Sequence, residues 1–149
     1  MTTNSMRNRP ARILLAEDDR TTASLIKIAL LRTGVSHDLD MVHDGDSAIA
    51  ALESPDAAAD LLLLDLQMPG KNGFEVLQHV KGQERLRRIP IVMFSSSASP
   101  NDVNRAYDLH VNAYVLKRPD FSELCRSLDG ILQFWLRTAM IPIEPRKLQ

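Results

Sequence analysis

Residues 60–73 read DLLLLDLQMPGKNG, and they restrict the fold more than any other stretch of the chain. Leu61, Leu62, Leu63 and Leu64 form an unbroken apolar run that stops at Asp65. A strand with one face in water alternates apolar and polar residues. A short continuous run bounded by polar residues fits a strand covered on both faces, as in a parallel sheet. Open parallel sheets bind their ligands beyond the carboxyl ends of the strands, and Asp65 stands at such an end. There it can hold a metal or act as a nucleophile that takes up a covalent group. In its plainest role it opens a turn that Pro69 continues. The rest of the chain decides among these.

Strand and helix patterns alternate five times. Short apolar runs at residues 12–16, 39–42, 61–64, 89–94 and 113–116 predict strands, with Pro90 near the start of the fourth, where a missing N–H is tolerated. Between and after them, apolar residues at helical spacing predict helices near 21–33, 46–52, 73–81, 101–109 and 121–138. Thr21 or Thr22 is the expected cap of the first helix, and Gly34 is its expected stop. The last helix carries Phe121, Leu124, Cys125, Leu128, Ile131, Leu132 and Trp135 on one stripe. This alternation implies an α/β fold, a parallel sheet with helices on both faces joined by right-handed crossovers. Residues 1–10 read as a flexible tail, 11–138 as one domain and 139–149 as an extension.

A chain of 149 residues has room for one domain with a full core, and 44% hydrophobic with 25% charged residues suits a globular protein. Eighteen basic residues against 19 acidic ones give a net charge of −1, so bulk charge makes no case for nucleic acid or for an anionic membrane. Cys125 is the only cysteine, which excludes an intramolecular disulfide and argues against a cysteine-based zinc site; its place in an apolar helical pattern predicts a buried thiol. The four histidines lack zinc-ligand spacing, Arg85, Arg87 and Arg88 read as a solvated helix end, and Met68 and Met93 read as packing residues. No apolar run approaches the roughly 20 residues that cross a bilayer, and the start, MTTNSMRNRPAR, lacks the apolar segment of a secretory signal. The expected location is cytoplasmic.

Polar residues gather where the predicted strands end. The first strand leads into Glu17, Asp18 and Asp19, the third into Asp65, the fourth into Ser95 and the fifth into Lys117. Taken singly, each has a plain explanation: a solvated turn, a hydroxyl on backbone, a surface lysine. All four ends open on the same edge of one parallel sheet, and together they specify a chemistry. Crowded carboxylates oppose one another's ionisation. A hard divalent cation relieves this, and oxygen-only ligands suit Mg²⁺. Asp18 and Asp65 would bind it directly, Glu17 would hold a metal-bound water, and the backbone carbonyl of Gln67 would complete the protein's share. The metal and Lys117 would neutralise a transferring phosphoryl group, with Ser95 donating to a phosphate oxygen and Asp65 as the nucleophile.

The segments LLAEDD, LLLLDLQMPGKNGFEVL, IPIVMFSSS and NAYVLK resemble, in order and spacing, the receiver domain of two-component response regulators, over roughly residues 12–136. That resemblance implies a flavodoxin-like, doubly wound five-stranded sheet in the order 2-1-3-4-5. It implies Asp65 as phosphoacceptor, Glu17 and Asp18 as the acidic pair, Ser95 as the switch hydroxyl, Lys117 as the phosphate-contacting lysine and Tyr114 as the switch aromatic. It also implies a histidine kinase as phosphoryl donor. AYDLHVNAYVLK with GILQFWLRTAMIP is similar to the small response regulators that partner bacterial phytochromes. One departure is that Lys117 is followed by Arg118 and only then Pro119, where many receivers place proline directly after the lysine.

Two other classes compete. An aspartyl-phosphate phosphatase usually carries a second Asp two residues after the nucleophile as general acid, and here that residue is Gln67. A phosphate-independent docking protein has no use for Glu17, Asp18, Asp65, Ser95 and Lys117 together. The expectation is therefore a signalling module rather than an enzyme, with at most self-catalysed phosphotransfer and dephosphorylation. Phe134 falls off the helix stripe, and Met140, Ile141, Pro142, Ile143 and Pro145 follow it, so a homodimer through the C-terminal face is expected.

Overall fold

The computed structural model describes residues 9–55 and 59–142. The elements run β1 (Ala11–Ala16), α1 (Arg20–Arg32), β2 (His37–Val42), α2 (Gly45–Glu53), β3 (Leu61–Leu64), α3 (Gly73–Lys81), β4 (Ile91–Ser95), α4 (Pro100–Asp108), β5 (Ala113–Leu116) and α5 (Phe121–Leu132). A π-helical turn, Gln133–Thr138, extends α5. The sheet is parallel throughout, in the order β2-β1-β3-β4-β5.

The leucine run explains why the sheet is covered twice. Side chains alternate faces along a strand, so Leu61 and Leu63 join one core with Ile13, Leu15, Ile26, Leu30, Phe94 and Leu128. Leu62 and Leu64 join the other with Leu14, Ile49, Leu52, Val76, Leu77 and Met93. All four leucines are fully buried. At about 1.5–3 kcal/mol per buried side chain, no polar residue is tolerable in this strand. Helices α1 and α5 cover the first face, and α2, α3 and α4 the second. Met68 and Met93 both pack into the second core, as expected.

Several local expectations are corrected. Asp19, not Thr21 or Thr22, caps α1: its carboxylate accepts from the Thr21 N–H at 3.0 Å and from the Thr22 hydroxyl at 3.0 Å. β4 begins at Ile91 instead of Ile89, because the Ile89 N–H closes the preceding turn onto the Leu86 carbonyl at 3.0 Å and Pro90 has no N–H to give. Cys125 is half-buried at the margin of the first core, not enclosed. Residues 1–8 of the expected tail lie outside the described residues. Arg9 does not behave as tail, because it pairs with Asp60 at 2.8 Å.

The largest difference concerns the C-terminal end. The π turn is closed by the Ala139 N–H donating to the Phe134 carbonyl at 2.7 Å, five residues back. This wider turn brings Leu136 fully into the first core and leaves Trp135 only partly buried against it. Ile141 then folds back onto the same core at 8% exposure, so it is not available to a second subunit. Ile143 and Pro145 lie outside the described residues. Ile141→Ala should cost about 2 kcal/mol of stability in urea unfolding, and Met140→Ala, at a 77% exposed site, should cost under about 0.5 kcal/mol. Equal stabilities would place Ile141 outside the core.

Candidate functional site

The candidate residues are held by the sheet's own hydrogen-bond ladder, continued one step past the strands. The Glu17 N–H donates to the Val42 carbonyl at 3.0 Å, the Asp65 N–H to the Ala16 carbonyl at 2.9 Å, and the Lys117 N–H to the Ser95 carbonyl at 2.7 Å. Each side chain therefore leaves a rigid edge at a fixed height. Glu17, Asp65 and Ser95 are the buried polar residues among those described, at 2%, 7% and 2% exposure.

The side chains converge. Lys117 Nζ donates to Glu17 Oε1 at 2.6 Å and to Asp65 Oδ1 at 3.3 Å. Asp65 Oδ1 also accepts from the Leu66 N–H at 2.9 Å, and Glu17 Oε2 from the Asp19 N–H at 3.1 Å. Glu17, Asp18 and Asp65 each bring a carboxylate oxygen into a group whose members lie within 4.8 Å of one another, with Asp18 exposed at its rim. Ser95 stands on the same edge, its Oγ accepting from the Ser97 N–H at 3.1 Å. Tyr114 is half-buried against the second core and donates its hydroxyl to the Ser97 carbonyl at 2.8 Å. Gln67 is exposed but flanked by buried Leu66 and Met68, which fix its backbone.

Two supporting contacts escape sequence reading. His43 Nδ1 lies 2.8 Å from the Glu17 carbonyl oxygen and steadies the turn after β1. Asn72 and Glu75 form a reciprocal capping box at the start of α3, at 3.0 Å each way, and anchor the far end of the loop after Asp65. The box was legible in principle as N-x-x-E before an apolar run. The histidine contact spans 26 residues and requires β2 beside β1.

The donor set suits a hard divalent cation. Three carboxylates share one ammonium in a small volume, so negative charge outweighs positive once they ionise, and carboxylate oxygens suit such an ion. Burial pushes the Asp65 carboxyl up to about 7; Lys117 opposes this and Glu17 adds to it. For Lys117, burial alone would lower its pKa, but the bonds to Glu17 and Asp65 outweigh burial and leave it raised.

A carboxyl that titrates higher in the folded chain than in the unfolded one binds the extra proton only when folded. The stability this gives is complete below the unfolded value of about 4 and disappears as pH rises through the folded value. In metal-free buffer the protein should therefore lose on the order of 2 kcal/mol between pH 5 and pH 8. Asp65→Asn should flatten that slope. Urea unfolding of both proteins at the two pH values checks this, and parallel slopes would refute it.

Comparison with known proteins gives a family for the chain. Residues 13–129 match the response regulator receiver domain family. The response regulator Rcp1 of Synechocystis sp. is 36% identical over 140 residues, covering 91% of this chain and 95% of that protein. The phosphorylated cyanobacterial phytochrome response regulator RcpA superposes with a TM-score of 0.85 at 41% identity, over 91% of this chain and all of that one. The Mn²⁺-bound form of Rcp1 gives 0.82 at 37% identity, over 90% of this chain and 100% of its own. A five-stranded parallel sheet with buried acidic residues and a lysine at one edge, and a family match across most of the chain, make this protein a member of the response regulator receiver-domain family.

Proposed function

We propose that Asp65 is the phosphoacceptor and that its donor is a histidine kinase of the phytochrome class. The observation that carries this reading is the burial of Asp65 beside Glu17 and Lys117 at the strand edge. A carboxylate oxygen of Asp65 attacks the phosphorus of a phosphohistidine. A P–O bond forms, the P–N bond breaks, and the imidazole leaves with its electron pair and takes a proton from water. Mg²⁺, when bound, neutralises charge on the phosphoryl oxygens. Asp18, Asp65 and the Gln67 carbonyl would hold it, and Glu17 would support it through a water. Lys117 can turn from Glu17 toward a phosphoryl oxygen, and the Ser95 hydroxyl can donate to another. A histidine kinase makes its phosphohistidine from ATP, so this reading puts the protein in the cytoplasm. The likeness to RcpA, a cyanobacterial phytochrome response regulator whose structure is of the phosphorylated form, supports the choice of kinase class.

Signalling on this reading passes through Tyr114. A Ser95 hydroxyl drawn to the phosphoryl group disturbs Ser97, whose carbonyl holds the tyrosine. The α4–β5 surface then changes for a partner. A hydrolase reading fails on Gln67, which cannot lend and recover a proton two residues after Asp65. A phosphate-independent docking reading leaves a group of buried charges that costs stability and returns nothing.

Incubation with acetyl phosphate and Mg²⁺ should add one phosphoryl group by intact mass, and none to Asp65→Asn. Spectra of the beryllofluoride form should shift at Ser97 and Tyr114 as well as at the site. Stoichiometric labelling of Asp65→Asn would remove it as acceptor, and shifts limited to the site would remove the tyrosine route.

The same reading includes a homodimer. Phe134 stands 50% exposed, edge-to-face with Trp135 at 5.0 Å, and exposed Met140 follows it. A second copy covering this patch at a two-fold axis is the simplest closed arrangement. Ending the chain at Leu132 would strip Leu136 and Ile141 from the core, so surface substitutions are the cleaner test. The full chain should sediment as a dimer at micromolar concentration, and Phe134→Ala with Met140→Ala should shift it toward monomer with its melting unchanged. A wild-type monomer well above that concentration would end the dimer proposal.

A further inference from the structure

We infer that the first turn of α2, residues 44–46, is a positioning brace for the loop that follows Asp65. The inference rests on the reading that this loop offers the Gln67 carbonyl to a metal. A Cβ added to Gly45 would overlap the carbonyl oxygen of Lys71 and lie 2.7 Å from its carbonyl carbon. The backbones of α2 and of the loop thus meet with no side chain between them, an approach that only glycine allows. The contact is reinforced one residue away on each side. Gly70 adopts φ 68, and a Cβ there would come within 2.8 Å of Asp46 Oδ2.

The brace has a firm side and a yielding side. Helix α2 is pinned by buried Ala48, Ile49 and Leu52, and its first turn is capped by Asp44, whose carboxylate accepts from the Ser47 N–H at 2.7 Å and the Ser47 hydroxyl at 3.0 Å. In the loop, Pro69, Gly70 and Lys71 are exposed. A clash at Gly45 is therefore relieved by moving the loop. The loop cannot absorb the movement locally, because its two ends are tied together. The Gly73 N–H donates to the Leu66 carbonyl at 2.8 Å, and a Cβ on Gly73 would lie 2.5 Å from the Asp65 carbonyl oxygen. A push at Lys71 is thus passed toward Gln67 and the Asp65 backbone, although no residue of the brace touches the reacting atoms.

Calorimetric titration with MgCl₂ tests this. Gly45→Ala should bind Mg²⁺ at least tenfold more weakly than the wild type. Its labelling by acetyl phosphate should fall by a similar factor at low Mg²⁺ and recover at saturating Mg²⁺. Gly130→Ala, where an added Cβ meets nothing within 4 Å, and Ile131→Val, a mild loss in the α5 core, should bind Mg²⁺ as the wild type does, whatever their melting temperatures. Asp44→Ala, which frees the first turn without adding a clash, should weaken binding about threefold, and it decides the matter if Gly45→Ala does not fold. Wild-type affinity in a folded Gly45→Ala, or in Asp44→Ala should the first not fold, overturns the brace and leaves the Asp65 assignment standing. A wild type that binds no Mg²⁺ overturns the metal reading and the brace with it.

Discussion

The Lys117 ammonium is the interaction on which the site edge depends. Two carboxylates, Glu17 and Asp65, lie under the surface of the sheet's carboxyl end, and each would cost several kcal/mol to bury alone. Lys117 reaches both from a single nitrogen. Its position is itself a consequence of the sheet: the fifth strand pairs with the fourth, and the Lys117 N–H continues that pairing onto the Ser95 carbonyl. The compensation is incomplete: one ammonium serves two buried carboxylates, and Asp18 adds a third at the rim. The burial that raises Asp65 therefore leaves the edge more stable when it gains a proton or a cation. A site of this kind is poised to respond to charge, which is the property a phosphoryl-accepting surface requires.

Much of this arrangement is legible in the sequence where one residue type satisfies one physical demand. The four leucines admit only a doubly covered strand, and β3 spans those four residues. β5 and α3 likewise fall on the predicted 113–116 and 73–81, since each is bounded by polar residues and carries an unambiguous period. Glu17, Asp65, Ser95 and Lys117 could be placed on one edge because the direction of a parallel strand fixes which end they occupy. The sheet order did not follow from the alternation alone; it came with the family resemblance and agrees with the observed pairing.

Sequence reading falls short where several residues qualify equally or where the partner is distant. Asp19, Thr21 and Thr22 can each cap a helix, and only the course of the chain selects Asp19. The π turn leaves no mark in an apolar pattern that suits an α-helix equally well, so the burial of Leu136 and the return of Ile141 were not readable. The meeting of Gly45 with Lys71 is similarly hidden: an Asp-Gly pair signals a turn, and nothing in it says what the missing side chain makes room for. These misses share a cause. Local pattern specifies elements, while contacts between loops at one sheet edge depend on all the elements at once.

The route from the site to the α4–β5 face follows the same logic of residues already in use. Ser95 Oγ is engaged as the acceptor of the Ser97 N–H, Ser97 Oγ donates to Asp102 Oδ2 at 2.6 Å in the first turn of α4, and the Ser97 carbonyl holds the Tyr114 hydroxyl. The Tyr114 N–H, in turn, donates to the Tyr107 hydroxyl of α4 at 3.2 Å. Ser97 thus joins the site to both elements of that face, and Ser95 cannot move without altering at least one of these bonds. Each is worth about 0.5–1.5 kcal/mol net, and somewhat more where a carboxylate accepts. Exchanging two or three of them for new ones amounts to a few kcal/mol, the size needed to tip a two-state equilibrium from mostly one form to mostly the other. On the proposed reading, the phosphoryl group need not deform the fold. It has only to compete for Ser95, and the bonds already centred on Ser97 convert that competition into a change at the surface.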